Sequence, residues 1–248
     1  MNTKKSKIDT IPNINLFTLI PERGYWKSGD YSYQNDLVSH DIRRFGCWEP
    51  YETEIFIELL NMNNPNKLMI VDVGAHIGYY TLIAAKCGYK CLSIESHEKI
   101  YNVLKMNIEL NGLTDKVICV NKFAGEKDDD CNKTITIQSL CKDVKSEILM
   151  KVDVEGSDPD VIKGTLNLFK NGIIKYLFVE ISPHLRGRET YVNMCREISE
   201  SSKYQIFDIG LSKPRKLQPV TYHISNLPQN SNFNISDTKQ TNFLFIRV

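Results

Sequence analysis

Short apolar runs alternate along this chain with amphipathic stretches and polar breaks. Leu68-Met69-Ile70-Val71-Asp72-Val73 is rich in β-branched residues and short enough to be a fully buried strand. Helical spacing resumes from Tyr79 to Cys87, Gly88 stops it, and Lys90–Glu95 reads as a second strand. His97–Asn111 carries Ile100, Val103, Leu104 and Ile108 at helical spacing, and Val117–Val120 is a third strand. Ile148–Val154 and Lys175–Ile181 are the fourth and fifth, with helices at Pro159–Phe169 and Glu189–Ser201. Tyr204–Ile209 and Asn242–Arg247 close the sheet. Residues 122–147 read as a polar excursion with a strand at Thr134–Ile137, and Leu211–Lys239 as loop. Ahead of the first strand, Glu52–Leu60 is a helix with Ile55, Phe56, Leu59 and Leu60 on one face. Asp36–Gly46 is a short strand or helical turn, and residues 1–35 a loosely structured arm. Strands separated by helices require a parallel sheet with right-handed crossovers, which binds its ligands outside the carboxyl ends of the strands.

Charge narrows the partners. A formal net charge of +1 gives no drive toward non-specific nucleic-acid binding, although Lys213, Arg215 and Lys216 make a small basic cluster. No apolar run approaches about 20 residues, and no apolar core follows Met1–Lys5, so neither a membrane span nor a signal peptide is expected. The seven cysteines are scattered without a C-x-x-C pair, which predicts reduced thiols and a cytoplasmic location.

The turn after the first strand points to a ligand. Asp72, Gly74 and Gly78 form D-x-G-x-x-x-G, which is neither the dinucleotide fingerprint nor a phosphate loop. An acid there would repel a pyrophosphate but suits a cationic amino-acid group, so S-adenosylmethionine is the expected cofactor. Glu95 closes the second strand about 20 residues further on, where ribose hydroxyls are gripped in nucleotide crevices. The expected cofactor contacts are Glu49, Asp72, Gly74, Ala75, His76, Gly78, Tyr79, Glu95 and Ser96. Trp48 and Glu49 are placed to cover the cofactor. At the next strand ends, Asp153, Glu155, Glu180 and His184 are the catalytic candidates. Lys151, Asp153 and Glu155 share one face if the fourth strand persists that far; the acids could act as base, or Asp153 and Glu155 could ligate a divalent ion. Asp158 and Asp160 read as helix-start acids.

These segments carry a resemblance. Gly46-Cys47-Trp48-Glu49-Pro50, Val71–Tyr80 and Leu149–Gly156 resemble hallmarks of the FkbM-type S-adenosylmethionine-dependent methyltransferases, and Val179–Pro183 is a weaker fourth match. The similarity spans roughly residues 45–205. His76 stands where the family has Asn, and Glu95-Ser96-His97 where it has Glu-Pro. The resemblance implies a Rossmann-like class I methyltransferase fold: a doubly wound, mostly parallel α/β sheet of seven strands with an antiparallel last strand. An N-terminal arm (1–45) would pack on a methyltransferase domain (46–248). It further implies O-methylation of a sugar, glycan or small natural-product-like acceptor. RNA cap 2′-O methylation and a non-catalytic cofactor-binding module are the alternatives.

Overall fold

The computed structural model describes residues 2–8, 14–20, 36–211 and 223–248. They begin with a hairpin (β1, Asn2–Ile8; β2, Ile14–Ile20), helices α1 (Leu37–Phe45) and α2 (Pro50–Met62), and strand β3 (Leu68–Val73). There follow α3 (Tyr79–Lys86), β4 (Cys91–Ile94), α4 (Glu98–Leu110) and β5 (Val117–Val120). A small excursion holds β6 (Phe123–Ala124), β7 (Thr134–Ile135) and α5 (Ile137–Leu140). The remainder comprises β8 (Glu147–Val152), α6 (Asp158–Lys163), α7 (Leu166–Lys170), β9 (Ile174–Ile181), α8 (Pro183–Arg186), α9 (Arg188–Ser201), β10 (Tyr204–Asp208) and β11 (Thr241–Arg247).

Seven strands make one sheet in the order β10-β11-β9-β8-β3-β4-β5. All its pairings are parallel except those of β11, which runs antiparallel to both neighbours. The chain winds outward from β3 to β5, returns to β8 on the other side of β3, and winds outward again. That reversal opens a crevice where β3 and β8 end, at Val73 and Val152. Leu68, Ile70, Val71 and Val73 are all buried, because apolar layers cover both faces of the sheet. One layer joins α2, α3 and α4 to the sheet, and the other joins α6, α7 and α9. No helix among the described residues is long and apolar enough to cross a membrane.

Two expectations need correction and one open reading is decided. Part of the stretch read as a loose arm is the hairpin β1–β2, in full register from Asn2↔Ile20 to Ile8↔Ile14. Its second strand buries Ile14, Leu16 and Leu19 and meets α4 through two amides. Asn107 accepts from Phe17 N–H (2.5 Å) and donates to Phe17 O (3.2 Å); Asn111 treats Asn15 in the same way (3.1 and 2.6 Å). The amides imitate a strand partner and quench an open edge. The undecided stretch before α2 is the helix α1, which Gly46 ends in a left-handed conformation. The single helix expected at 159–169 is two, parted at Gly164 and Thr165, where Gly164 passes so close to Gly125 that a Cβ would stand 2.1 Å from its carbonyl oxygen. The basic cluster at 213–216 lies outside the described residues.

Asn107 also donates to Ile77 O (2.8 Å), inside the turn that follows β3. Asn107→Ala should therefore cost about 3 kcal/mol, since it strands buried backbone groups on two segments. A fall in the denaturant midpoint at unchanged slope would check this.

Candidate active site

β3 delivers the chain to a turn in which Gly74, His76 and Gly78 have φ of 84°, 50° and 94°. A Cβ on Gly74 would lie 1.8 Å from the carbonyl oxygen of Asp153, so only glycine lets the turn rest against the end of β8. The turn is also tied to β4. Gly74 and Ala75 N–H donate to Ile94 O (2.9 and 3.0 Å), and His76 N–H donates to Glu95 Oε2 (3.0 Å). Glu95 Oε1 accepts from His97 N–H (2.7 Å), and the Ser96 carbonyl accepts from Asn121 (3.0 Å). Glu95 is thus fixed beside the turn, and each of its oxygens keeps a lone pair for a diol.

Two of the expected contact residues turn inward instead. Asp72 Oδ2 accepts from the backbone and hydroxyl of Thr81 (3.1 and 2.6 Å), stapling the first turn of α3. Burial pushes its carboxyl above the ordinary range against the pull of Thr81. Tyr79 points its hydroxyl at Cys47 Sγ (3.3 Å) within the core. Both follow from α3 being covered on every side: Tyr79 through Ala85 are all buried.

Beside the turn, the ends of α2, β8 and β9 bring together a lysine and four acids. Lys151, on β8 and 6% exposed, donates to Asp153 Oδ2 (3.0 Å), lies 3.9 Å from Glu49 Oε2 and sits 4.8 Å over the Tyr80 ring. Burial alone would pull its pKa down, but Asp153, Glu49 and Glu52 outweigh that and hold the ammonium charged. Burial likewise pushes Asp153 up, but Lys151 and a hydrogen bond from Glu180 bring it below the usual carboxylate range. Glu180 goes the other way: burial first, then the Asp153 charge, push it up to about 9. Ser182 Oγ and Gln240 Nε2 both donate to Glu180 Oε1. Glu180 is therefore protonated near neutral pH and Asp153 ionised, a division of labour set by their surroundings. Glu49 caps α2 from a left-handed conformation (φ 41°) and accepts from the Tyr80 hydroxyl (3.0 Å).

The rim is looser. β8 stops at Val152, so Asp153 and Glu155 do not alternate along a strand as expected; Glu155 has φ 51° and stands exposed. Burial and then Asp153 push its carboxyl up, while His184 and His76 pull the other way, which puts both histidines within electrostatic reach. His184 is exposed on the short helix α8. Asp158 accepts from the N–H groups of Val154 and Gly156 (3.1 Å each) and shapes the loop; burial pushes it up to about 7. Asp160 pairs with Arg186 (3.0 Å). Asp36 faces His76 Nε2 at 3.6 Å, and its buried Oδ2 finds no partner among the described residues.

The whole chain superposes on a SAM-dependent methyltransferase from Agrobacterium tumefaciens, covering 70% of that chain at TM-score 0.55 and 11% identity. The chain has the class I methyltransferase fold. A precorrin 8w decarboxylase from Methanobacterium thermoautotrophicum is also similar, over 79% of this chain and 90% of that one, at 18% identity and TM-score 0.49. No protein-family model matches the sequence, and no curated protein matches it.

On this class I sheet a divalent ion at Asp153 and Glu155 does not fit. The Lys151 ammonium holds the cation's place beside Asp153, and Glu155 faces solvent. No three His, Cys, Asp or Glu side chains among the described residues are grouped to hold a metal. Sequence reasoning left out Lys151 and Glu52 as site residues, though both signals were present. Lys151 interrupts an apolar run, Leu149-Met150-Lys151-Val152, in a central strand; Glu52 precedes Ile55, Phe56 and Leu59 by 3, 4 and 7 positions, on the apolar face of α2.

Proposed function

We propose that this protein is an S-adenosylmethionine-dependent O-methyltransferase of the FkbM type, acting on a hydroxyl of a sugar, glycan or small natural-product-like acceptor. The observation that carries the reading is the Asp153 carboxylate beside the glycine turn, 3.0 Å from the buried Lys151 ammonium and next to Glu180. The FkbM assignment rests on the sequence segments quoted above. In this reading residues 1–45 are an accessory layer on the catalytic domain, 46–248.

The residues fit the cofactor. Glycine at 74 lets the turn lie against the end of β8 and so fixes the cradle, Glu95 offers free lone pairs for ribose hydroxyls, and Asp36 has a buried oxygen available to an ammonium group. Ala75, His76 and Ser96 would line the same cradle, with Glu49 over its cationic end. The bound cofactor supplies an electrophilic methyl group. The chain's own part is alignment, which can account for ~7–11 kcal/mol, and a base worth about 10²–10⁴ in rate. Asp153 takes the acceptor proton, Lys151 keeps Asp153 ionised, and Glu180 holds it in place. Glu155 and His184 are placed to meet the outer part of the acceptor.

A phosphate chain is the wrong partner for a mouth lined by Glu49, Asp153 and Glu155, which argues against capped RNA. The cysteines are free thiols, which fits a cytoplasmic compartment. Calorimetry with S-adenosylmethionine should give a dissociation constant of about 1–100 μM, in the range common for enzyme ligands. Methyl-labelled cofactor should then mark polyhydroxylated acceptors and leave capped RNA unlabelled. Binding heat without transfer to any acceptor would favour the non-catalytic cofactor-binding module, absence of binding heat would remove the cofactor reading, and label on RNA alone would replace the acceptor class.

A further inference from the structure

Asp36 occupies the position that caps α1, yet it does not cap it. Its backbone is extended (φ −62°, ψ 94°), as an N-cap requires, and Asp is among the best residues for that task. The side chain nevertheless accepts no bond from the helix. It is turned instead to the glycine turn, where Oδ1 faces His76 Nε2 at 3.6 Å. The Asp36 side chain is 8% exposed, and its Oδ2 is buried without a partner among the described residues.

His76 is unusual in the same way. It holds a φ of 50°, which few side chains adopt, and its Nδ1 is also buried and unpartnered among the described residues. Nε2 points at a carboxylate and so carries the hydrogen, which leaves Nδ1 as an acceptor. Two facing side chains thus present buried acceptors with no donor, where most buried polar groups are paired. The other acids near the turn are engaged. Glu95 takes the N–H groups of His76 and His97, Asp72 holds Thr81, Glu49 accepts from Tyr80, and Asp153 accepts from Lys151. Glu52 also has an orphan oxygen, but it is 2% exposed on the apolar face of α2. A buried carboxylate that no lysine or arginine among the described residues meets calls for a cation rich in N–H donors, and a primary ammonium group is one.

Position says which ammonium. His76 N–H is bonded to Glu95, the acid placed for the ribose, and the His76 ring lies within electrostatic reach of Asp153. A nucleoside whose ribose meets Glu95 and whose sulfur faces Asp153 lays its amino-acid branch along the turn, past His76. We propose that Asp36, supported by His76, binds the α-ammonium group of the cofactor's amino-acid end and makes that group a condition of tight binding. This rests on the cofactor reading above. Asp36 belongs to the N-terminal layer, where α1 is fastened to β2. Ser39 Oγ accepts from Leu19 N–H (2.9 Å), and Arg43 donates to Leu19 O (2.5 Å). The layer therefore completes the cofactor site, and it selects against adenosine thioethers that lack the amine.

The test is calorimetry with S-adenosylhomocysteine, its deamino analogue and 5′-methylthioadenosine. All have adenosine and a neutral thioether, and only the first has the ammonium group. The unaltered protein should bind the other two about ten- to a hundredfold more weakly, the range of a hydrogen bond to a charged group. Asp36→Asn should weaken S-adenosylhomocysteine by a similar factor and leave the other two unchanged, which also shows that the variant is folded. Should Asp36→Asn bind none of them, Asp36→Ser, with a side chain that caps helices itself, carries the same comparison. Equal affinity of the unaltered protein for S-adenosylhomocysteine and its deamino analogue overturns the proposal. A variant that keeps the parent compound's advantage overturns it as well. Failure of the unaltered protein to bind any of these ligands overturns the cofactor reading instead.

Discussion

Gly74→Ala is expected to destabilise the protein by about 3–5 kcal/mol, among the largest losses a single methyl group can cause. Two independent obstacles meet at this residue. Its φ of 84° is costly for any side chain, and the added carbon would sit 1.8 Å from the Asp153 carbonyl oxygen. That carbonyl has little room to retreat. Asp153 N–H donates to Val73 O (3.0 Å), and the preceding residues Val73 and Val152 are paired in the middle of the sheet. Gly78→Ala makes the informative comparison. Its φ is 94°, but the added carbon meets only the Cδ1 of Leu104 (2.6 Å), the end of a side chain that can rotate. Chemical denaturation should rank Gly74→Ala well below Gly78→Ala. Equal midpoints would show that backbone conformation alone, and not the contact with β8, requires the glycine.

Asp153→Asn is expected to lower methyl transfer by at least about a thousandfold while leaving S-adenosylmethionine affinity within a few-fold. The substitution keeps the shape of the side chain and removes the one carboxylate at the strand ends that Lys151 and Glu180 together hold below its usual range. Single-turnover transfer from labelled cofactor to an identified acceptor, with calorimetry in parallel, separates the two effects. Full activity in the variant would remove Asp153 from the mechanism. The pH dependence of the unaltered enzyme supplies a second check. Glu180 is raised to about 9, so the unfolded chain gives up its proton at lower pH than the folded one. The stability tied to this proton is complete below the ordinary carboxylate range and is lost as pH rises toward about 9. Turnover should fall in the same alkaline region, because an ionised Glu180 can no longer donate to Asp153.

The sheet was legible because its strands are short, apolar and bounded by polar residues. β5 runs from Val117 to Val120 as expected, and β9 differs only by starting at Ile174. The hairpin was not, since β1 reads Asn-Thr-Lys-Lys-Ser-Lys-Ile and the edge of β2 is satisfied by amides of a distant helix. For the site, residue types were more readable than their directions. Glycines 74 and 78 do form the turn after β3, but β8 ends at Val152, so Asp153 and Glu155 leave the strand on which the spacing had put them. Whether an acid faces the crevice depends on side-chain parity and on what covers it, and Asp72 lies under α3 rather than in the open. Lys151 and Glu52 were visible as charged residues in apolar settings, but the meaning of such a residue depends on neighbours contributed by other elements.

The amide ladder between β2 and α4 also sets an order in time. Its bonds join residues 90 and 96 positions apart, so they cannot form until α4 has been synthesised. Residues 14–20 emerge first and must wait, unpaired along that edge, through the making of β3, α3 and β4. One buried side chain, Asn107, then closes the N-terminal strand and the glycine turn together. The start of the chain is thus among the later parts to settle, and the turn gains its last support only when it does.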